Sequence, residues 1–460
     1  MTKNHVYILF ISAFFFIAGP VFAASDPQKD LVNLGSAIYK DLNLSLNQNQ
    51  SCMTCHHPSA GFADPANRIS PALLPVSEGS ILTLFGGRNA PTASYAGFNP
   101  IFHHDGSLFV GGLFWDGRAT GRMDITATGG LGDGPTGDPL ADQAKGPFGN
   151  PVEMALTPDT EVAVVGKIQT SDYADKFEKV FGPGAFMNVW EAYNNASLAI
   201  AAFERSKKLN KFNSKFDKFV QEQGGDVSTF GAVDVGGFRM YVGPPPGFKS
   251  KYFSYAEADG LAIFNADSYT QLYGGEAPGT QQNGGMCYLC HLTTKHVVAA
   301  NDPNQPLNGP VPGIYNPLLT DFTFDNLGIP VNLRIAVLAG PQSMDLGLGG
   351  QVDQLEAATY SGYNSADEEG KFKVSSLRNL SRTAPYSHNG FFSTIYDIVH
   401  FYNTRDALPN CTGILGEIPG INCWPEPEVF ATVNDSELGN LGLTLQQEQK
   451  LVMFLETLDD

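Results

Sequence analysis

One five-residue pattern, present twice, constrains this chain more than any other feature. Cys52-Met53-Thr54-Cys55-His56 and Cys287-Tyr288-Leu289-Cys290-His291 both read C-x-x-C-H, the pattern by which c-type haem is attached. With 6 Cys and 9 His in 460 residues, one such match arises by accident about 0.0015 times, so a coincidental pair is discounted. The chemistry accounts for the spacing. Two thiols add to the two vinyl groups of one haem, and the adjacent His supplies the proximal iron ligand. A thioredoxin-like C-x-x-C or half of a zinc site are the competing readings. Neither explains a His directly after the second Cys in both copies.

The start of the chain reads as an export signal, which suits haem attachment outside the cytoplasm. Lys3 lies before an apolar run at 6–18, Pro20 breaks it, and Val21-Phe22-Ala23 forms a small-x-small cleavage site. A membrane anchor is the alternative, but the run is short for one. The reading is signal peptide 1–23, a mature chain without a membrane span, and a periplasmic or cell-surface location. In such an oxidising compartment the two remaining cysteines, Cys411 and Cys423, are expected to form a disulfide. Lys+Arg 28 against Asp+Glu 47 gives a formal charge of −19. That excludes a nucleic-acid binder and suits a basic protein partner.

Two motifs imply two haem domains, read here as 24–225 and 226–460, with the C-terminal tail packing back on the first. Ahead of the first motif, Leu31, Leu34, Gly35 and Ile38 share one helical face. Helices are also expected at 187–206 and 256–265, with Trp190 in the core. A last helix starts at Thr444 with Gln447 as its capping-box partner, and Leu451, Phe454, Leu455 and Leu458 form its apolar stripe. Residues 238–251, with three consecutive prolines, read as loop or linker. β-alternation is scarce. The fold class is mainly α: two cytochrome c-like haem domains with long loops and little β.

Further segments carry a resemblance. They are Ser51 to Asp64, Arg88-Asn89-Ala90-Pro91, Trp115-Asp116-Gly117-Arg118, Asn150-Pro151-Val152-Glu153-Met154, Asn213-Ser214-Lys215-Phe216-Asp217, Phe372 to Tyr402 and Gly442 to Leu455. With the paired motifs, they resemble the bacterial di-haem cytochrome c peroxidases, which include the MauG proteins. The resemblance implies a peroxidatic haem on Cys52, Cys55 and His56, with Gln143, Pro147 and Glu153 on its distal face. Glu153 would be the general acid/base, since one carboxylate within reach can take a proton from one peroxide oxygen and return it to the other. As a bare residue, Glu153 also reads as a surface carboxylate at a helix start. The resemblance further implies an electron-transfer haem on Cys287, Cys290 and His291. Its sixth ligand falls at Tyr402, fourteen residues after His388, where electron-relay members carry Met and MauG carries Tyr. Trp115 matches the tryptophan between the haems, although a lone Trp is more often core. Arg118 holds a haem propionate or Asp116. Asn89, Thr383 and Pro385 match an inter-haem calcium site.

Two departures matter. Many members carry a distal His sixteen residues after the first proximal His, where this chain has Ala72. His57, His103 and His104 do not fit that pattern. The stretch from Trp115 to Gln143 is also longer than the family's shortest form and holds a Gly-rich run at 129–134. The expected function is an exported oxidoreductase of cytochrome c peroxidase type. It reduces hydrogen peroxide at an open N-terminal haem, with electrons supplied through a Tyr-ligated C-terminal haem. The donor is a small cytochrome c or cupredoxin. The alternatives are a MauG-like maturase that oxidises Trp or Tyr of a client protein, and a di-haem electron carrier without peroxide chemistry. The family resemblance also allows a homodimer.

Overall fold

The computed structural model describes residues 26–123, 136–277, 279, 281–294, 317–351 and 364–460. The export signal and the Gly-rich run lie outside them. The described chain is mainly helical, with three two-stranded antiparallel sheets. No helix among the described residues is long and apolar enough to cross a membrane.

One packing device occurs on both sides of the chain. The helix Pro27–Ile38, capped by Asp26, crosses Val189–Glu204, capped by Asn188. At the crossing Gly35 lies so close that a Cβ there would sit 1.7 Å from the Ala199 carbonyl oxygen. The helix Tyr255–Phe264 crosses Leu445–Leu455 in the same manner, where a Cβ on Gly260 would sit 2.0 Å from the Lys450 carbonyl oxygen. Only glycine allows backbones to approach this closely. In each pair the first helix precedes a C-x-x-C-H motif and the second follows it in the chain, so each motif lies between the two helices of a close-packed pair.

Each pair has its own apolar cluster. One gathers Leu34, Ile38, Phe177, Ile200 and Phe203. The other gathers Phe216, Leu261, Phe264, Phe401 and Phe454. Leu451, Phe454, Leu455 and Leu458 are all buried there, and Thr444 caps its helix through a capping box with Gln447, as the sequence predicts. The chain end returns to the first half: Asp460 accepts from the Tyr95 hydroxyl and, at 3.2 Å, from Asn213 N–H.

Two expectations need correction. Trp190 is 44% exposed, because it sits in the first turn of its helix, ahead of the face that meets Pro27–Ile38. Residues 238–241 are a strand, Phe238–Tyr241, paired with Ala232–Val235. The Gly236-Gly237 turn closes this hairpin with both residues at positive φ. The prolines begin only after it.

Cys411 and Cys423 form the expected disulfide. The loop between them is also held by Glu417, which accepts from Thr412, Gly413 and Ile414 N–H groups at 2.7–3.1 Å. Opening the bridge with paired Cys411→Ser and Cys423→Ser substitutions is expected to remove about 2–3 kcal/mol of loop constraint. The check is chymotrypsin cleavage at the exposed Leu415, which should become markedly faster than in the oxidised parent.

Candidate functional site: two clefts sharing a wall

The residues of the first motif line one cleft and those of the second line another. Cys52, Cys55 and His56 share theirs with Arg118, Gln143, Pro147 and Glu153. Cys287, Cys290 and His291 share theirs with Tyr402, Thr383 and Pro385. Asn89 and Trp115 line both. Every site residue expected from the sequence therefore falls on one of two adjoining clefts.

The two histidines are held alike. His56 Nδ1 is 3.2 Å from the Phe62 carbonyl oxygen, and His291 Nδ1 is 2.9 Å from that of Leu319. A carbonyl only accepts, so each Nδ1 carries the proton and each Nε2 is left as a lone-pair donor. Burial pulls both imidazoles below their usual pKa, which keeps them neutral, as ligation requires. None of the four motif cysteines forms a disulfide. Burial pushes the thiols of Cys52 and Cys287 up to about 12 and raises Cys55 and Cys290 as well. A redox C-x-x-C does the opposite and lowers its nucleophilic thiol. Neutral buried thiols beside a histidine whose Nδ1 is held by a backbone carbonyl, all on one cleft, fit a covalently attached haem at each motif.

In the first cleft, Gln143 and Pro147 are presented by the helix Pro139–Gly149, capped by Asp138. Glu153 follows in the turn after it, fixed by its N–H to the Asn150 carbonyl and its own carbonyl to Ser80 N–H. Burial raises the Glu153 carboxyl above its ordinary range, and Arg118 partly opposes this. No histidine other than His56 lines this cleft among the described residues. His57 Nδ1 pairs with Ser59 Oγ at 2.7 Å and His103 Nδ1 with the Ile101 carbonyl at 2.8 Å. Ala72 is exposed.

The shared wall is pinned from both sides. Trp115 Nε1–H donates to the Asn89 carbonyl at 2.9 Å, and the Trp115 carbonyl accepts from Lys373 N–H at 2.9 Å. The neighbouring Asp116, 1% exposed, takes both Arg88 and Arg118 at 2.6 Å. Arg88 also grips Asp345 through two 2.7 Å contacts. Of the two partners expected for Arg118, the described residues supply Asp116. The Asn89 amide donates to the Pro75 carbonyl at 2.9 Å, and Thr383 Oγ1 to the Leu380 carbonyl at 3.2 Å.

In the second cleft, Tyr402 comes from the helix Ile395–Thr404, capped by Thr394 with Asp397. Burial raises its phenol, with Cys290 and Cys287 adding to the effect. Ligation as phenolate would release that proton. Beside Cys290, Asn434 Nδ2 donates to both Asp325 and Glu437, at 2.7 and 2.9 Å.

Sequence reasoning assigned no role to three buried groups on these clefts. Lys373 is pushed down to about 7 by burial and donates to the Gly111 and Phe322 carbonyls at 3.0 and 3.3 Å. Glu204 is pushed up to about 8 by burial, and its Oε2 has no hydrogen bond among the described residues. His388 stacks on Phe372 with 3.5 Å between centroids, and its Nε2 faces a Glu428 carboxylate oxygen at 4.0 Å. The only available signal was that Lys373 and His388 lie inside the quoted segment from Phe372 to Tyr402.

Comparison with known proteins agrees with this geometry. A family model described as di-haem cytochrome c peroxidase matches residues 29–225. The methylamine utilization protein MauG of Paracoccus denitrificans is 31% identical over 96% of this chain and 92% of its own length. The cytochrome c551 peroxidase of Pseudomonas aeruginosa is 31% identical over 47% of this chain and 48% of its own. Among solved structures, the diheme peroxidase BthA from Burkholderia thailandensis superposes with a TM-score of 0.60 at 23% identity, covering 95% of this chain and 89% of that one.

Proposed function

The chain belongs to the di-haem cytochrome c peroxidase family, which includes the MauG proteins, and from that premise we propose that peroxide is taken up and reduced in the cleft of His56. The family makes it an oxidoreductase carrying two c-type haems. Haem iron supplies the redox chemistry, exchanging the two electrons that turn peroxide into water. The observation that carries the assignment is the first cleft itself. Gln143 and Glu153 line it together with His56, and no other histidine does so among the described residues.

The protein groups then have separate tasks. Glu153 accepts the proton from one peroxide oxygen and delivers it to the other, the leaving oxygen. Gln143 orients the peroxide by hydrogen bonding. Pro147 lacks an N–H, so it adds wall without a competing donor. Trp115, lining both clefts, is the path for electrons between them. Cys52, Cys55 and His56 hold the first haem. Cys287, Cys290, His291 and Tyr402 hold the second, in a domain beginning near residue 226. Asn89, Thr383 and Pro385 are the proposed calcium position. Export to the periplasm and a small cytochrome c or cupredoxin as donor complete the reading. Tyr402 favours a second reading, oxidation of a client protein's Trp or Tyr, because an anionic oxygen ligand lowers the potential of its iron.

The test is low-temperature EPR of the ferric holoprotein, before and after one equivalent of peroxide without prior reduction. One high-spin and one low-spin signal, both lost on peroxide addition, are expected. Two low-spin signals indifferent to peroxide would refute the open first site. In Tyr402→Phe the low-spin signal should disappear while the high-spin one stays. An unchanged spectrum would remove Tyr402 as ligand.

A further inference from the structure

A third cleft lies directly behind the first haem site. Its floor is apolar and includes Met53, Phe62, Phe203 and Leu209. Met53 stands between the two motif cysteines, and the Phe62 carbonyl holds His56 Nδ1. The floor is therefore the outer side of the wall that positions the proximal histidine.

The rim is cationic, in a chain of formal charge −19. Lys40, Lys208, Lys211 and Arg382 surround the opening. Arg382 is engaged with Asp459 at 3.3 Å. The three lysines form no ion pair among the described residues, and two of their ammonium groups stand over the same Phe203 ring, at 5.9 and 5.7 Å. The one carboxylate side chain on the cleft, Asp460, is occupied by Tyr95 and Asn213. Unpaired lysines converging over an apolar floor are suited to an anion with an apolar body. The cleft holds ≈ 210 Å³, below the roughly 300–1,000 Å³ of pockets for drug-sized ligands, so the ligand is about one substituted ring.

We propose that this cleft binds a compact aromatic carboxylate as an electron donor, with the ring in the apolar part of the cleft beside Met53 and the carboxylate among Lys40, Lys208 and Lys211. The proposal rests on the peroxide-reducing reading of the His56 site. For a phenolic donor the balance is two phenols and one hydrogen peroxide giving two phenoxyl radicals and two waters. Each phenol loses one electron and one proton. Such donors would reach the first haem through its proximal wall, without passing through the Tyr402 side.

The test uses the holoenzyme and a matched pair of probes, syringate and 2,6-dimethoxyphenol, which differ by the carboxylate. Titration calorimetry without peroxide should show syringate binding one to one, and the neutral phenol binding far more weakly. Lys208→Glu with Lys211→Glu, both exposed and outside the two haem clefts, should raise the syringate Kd and KM about tenfold. The KM for 2,6-dimethoxyphenol should stay unchanged, which also shows that the fold is intact. Lys208→Arg with Lys211→Arg should retain syringate binding, and added salt should weaken it. Equal binding of both probes by the parent, or a syringate KM indifferent to the charge reversal, overturns the proposal. Lack of turnover with both donors would instead count against the peroxide reading, and the calorimetry would still decide the site.

Discussion

Glu153→Gln is expected to lower kcat/KM for hydrogen peroxide by about 10²–10⁴-fold, the usual contribution of a positioned acid/base. The substitution keeps size and hydrogen bonding but removes the proton acceptor. Both haems should stay attached, since Glu153 is not among the attachment residues Cys52, Cys55 and His56 with which it lines the cleft. The pH profile gives a second readout. Burial raises the folded carboxyl above its ordinary value, against the opposing pull of Arg118. A raised pKa means that the group is protonated, and unable to accept a proton, up to a higher pH than usual. Activity should therefore fall with decreasing pH along a limb lying above about 4.3, the ordinary value for Glu. That limb should be absent from the Glu153→Gln profile. Steady-state peroxide turnover against pH checks both points. Activity within a factor of three of the parent would sink the assignment.

Asp217→Ala should cost about 3–5 kcal/mol of stability, because it leaves a buried guanidinium without its counter-charge. Asp217 and Arg378 are each 0% exposed at the side chain. Arg378 reaches Asp217 with both terminal nitrogens, at 3.0 and 2.8 Å, and its Nε–H donates to the Pro317 carbonyl at 2.9 Å. Its guanidinium also lies 5.0 Å from the Tyr95 ring and 4.5 Å from that of Phe212. Asp217 has a second task, taking Ser214 N–H and Oγ–H at the start of the helix Lys215–Glu222. The pair thus joins the segment after the first helix cluster to the stretch that leads to Tyr402. Urea unfolding followed by far-UV circular dichroism measures the loss. A double replacement, Asp217→Leu with Arg378→Leu, should recover part of it, since no lone charge is then buried. A single Asp217→Ala as stable as the parent would show the pair to be dispensable.

Residues acting through local covalent or short-range chemistry were legible in the sequence. C-x-x-C-H needs only five consecutive positions, and capping at Thr444 needs only Gln447 three residues on. Both are written in the chain order. Trp190 shows the limit of periodicity: a helix was expected and found, but which turn faces a partner depends on where the partner crosses. Residues 238–241 show another, since two glycines close a hairpin that the following prolines obscured. The burial of Lys373, Glu204 and His388 on the clefts was not legible either. A buried lysine or glutamate looks like a surface one until the fold removes its water.

The sequence by itself determined the two C-x-x-C-H motifs, the mainly helical class and the family resemblance. The motifs follow from residue identity at fixed short spacing, and the class and family from patterns spread along the chain, none of which depends on how the helices pack. Only the tertiary structure decided that Asn89 and Trp115 form a wall common to both clefts, that no second histidine lines the first cleft among the described residues, and that unpaired lysines from separate segments meet over one phenylalanine. Each of these joins residues far apart in the chain, and their electrostatics depend on burial and distance, quantities that exist only once the helices have packed.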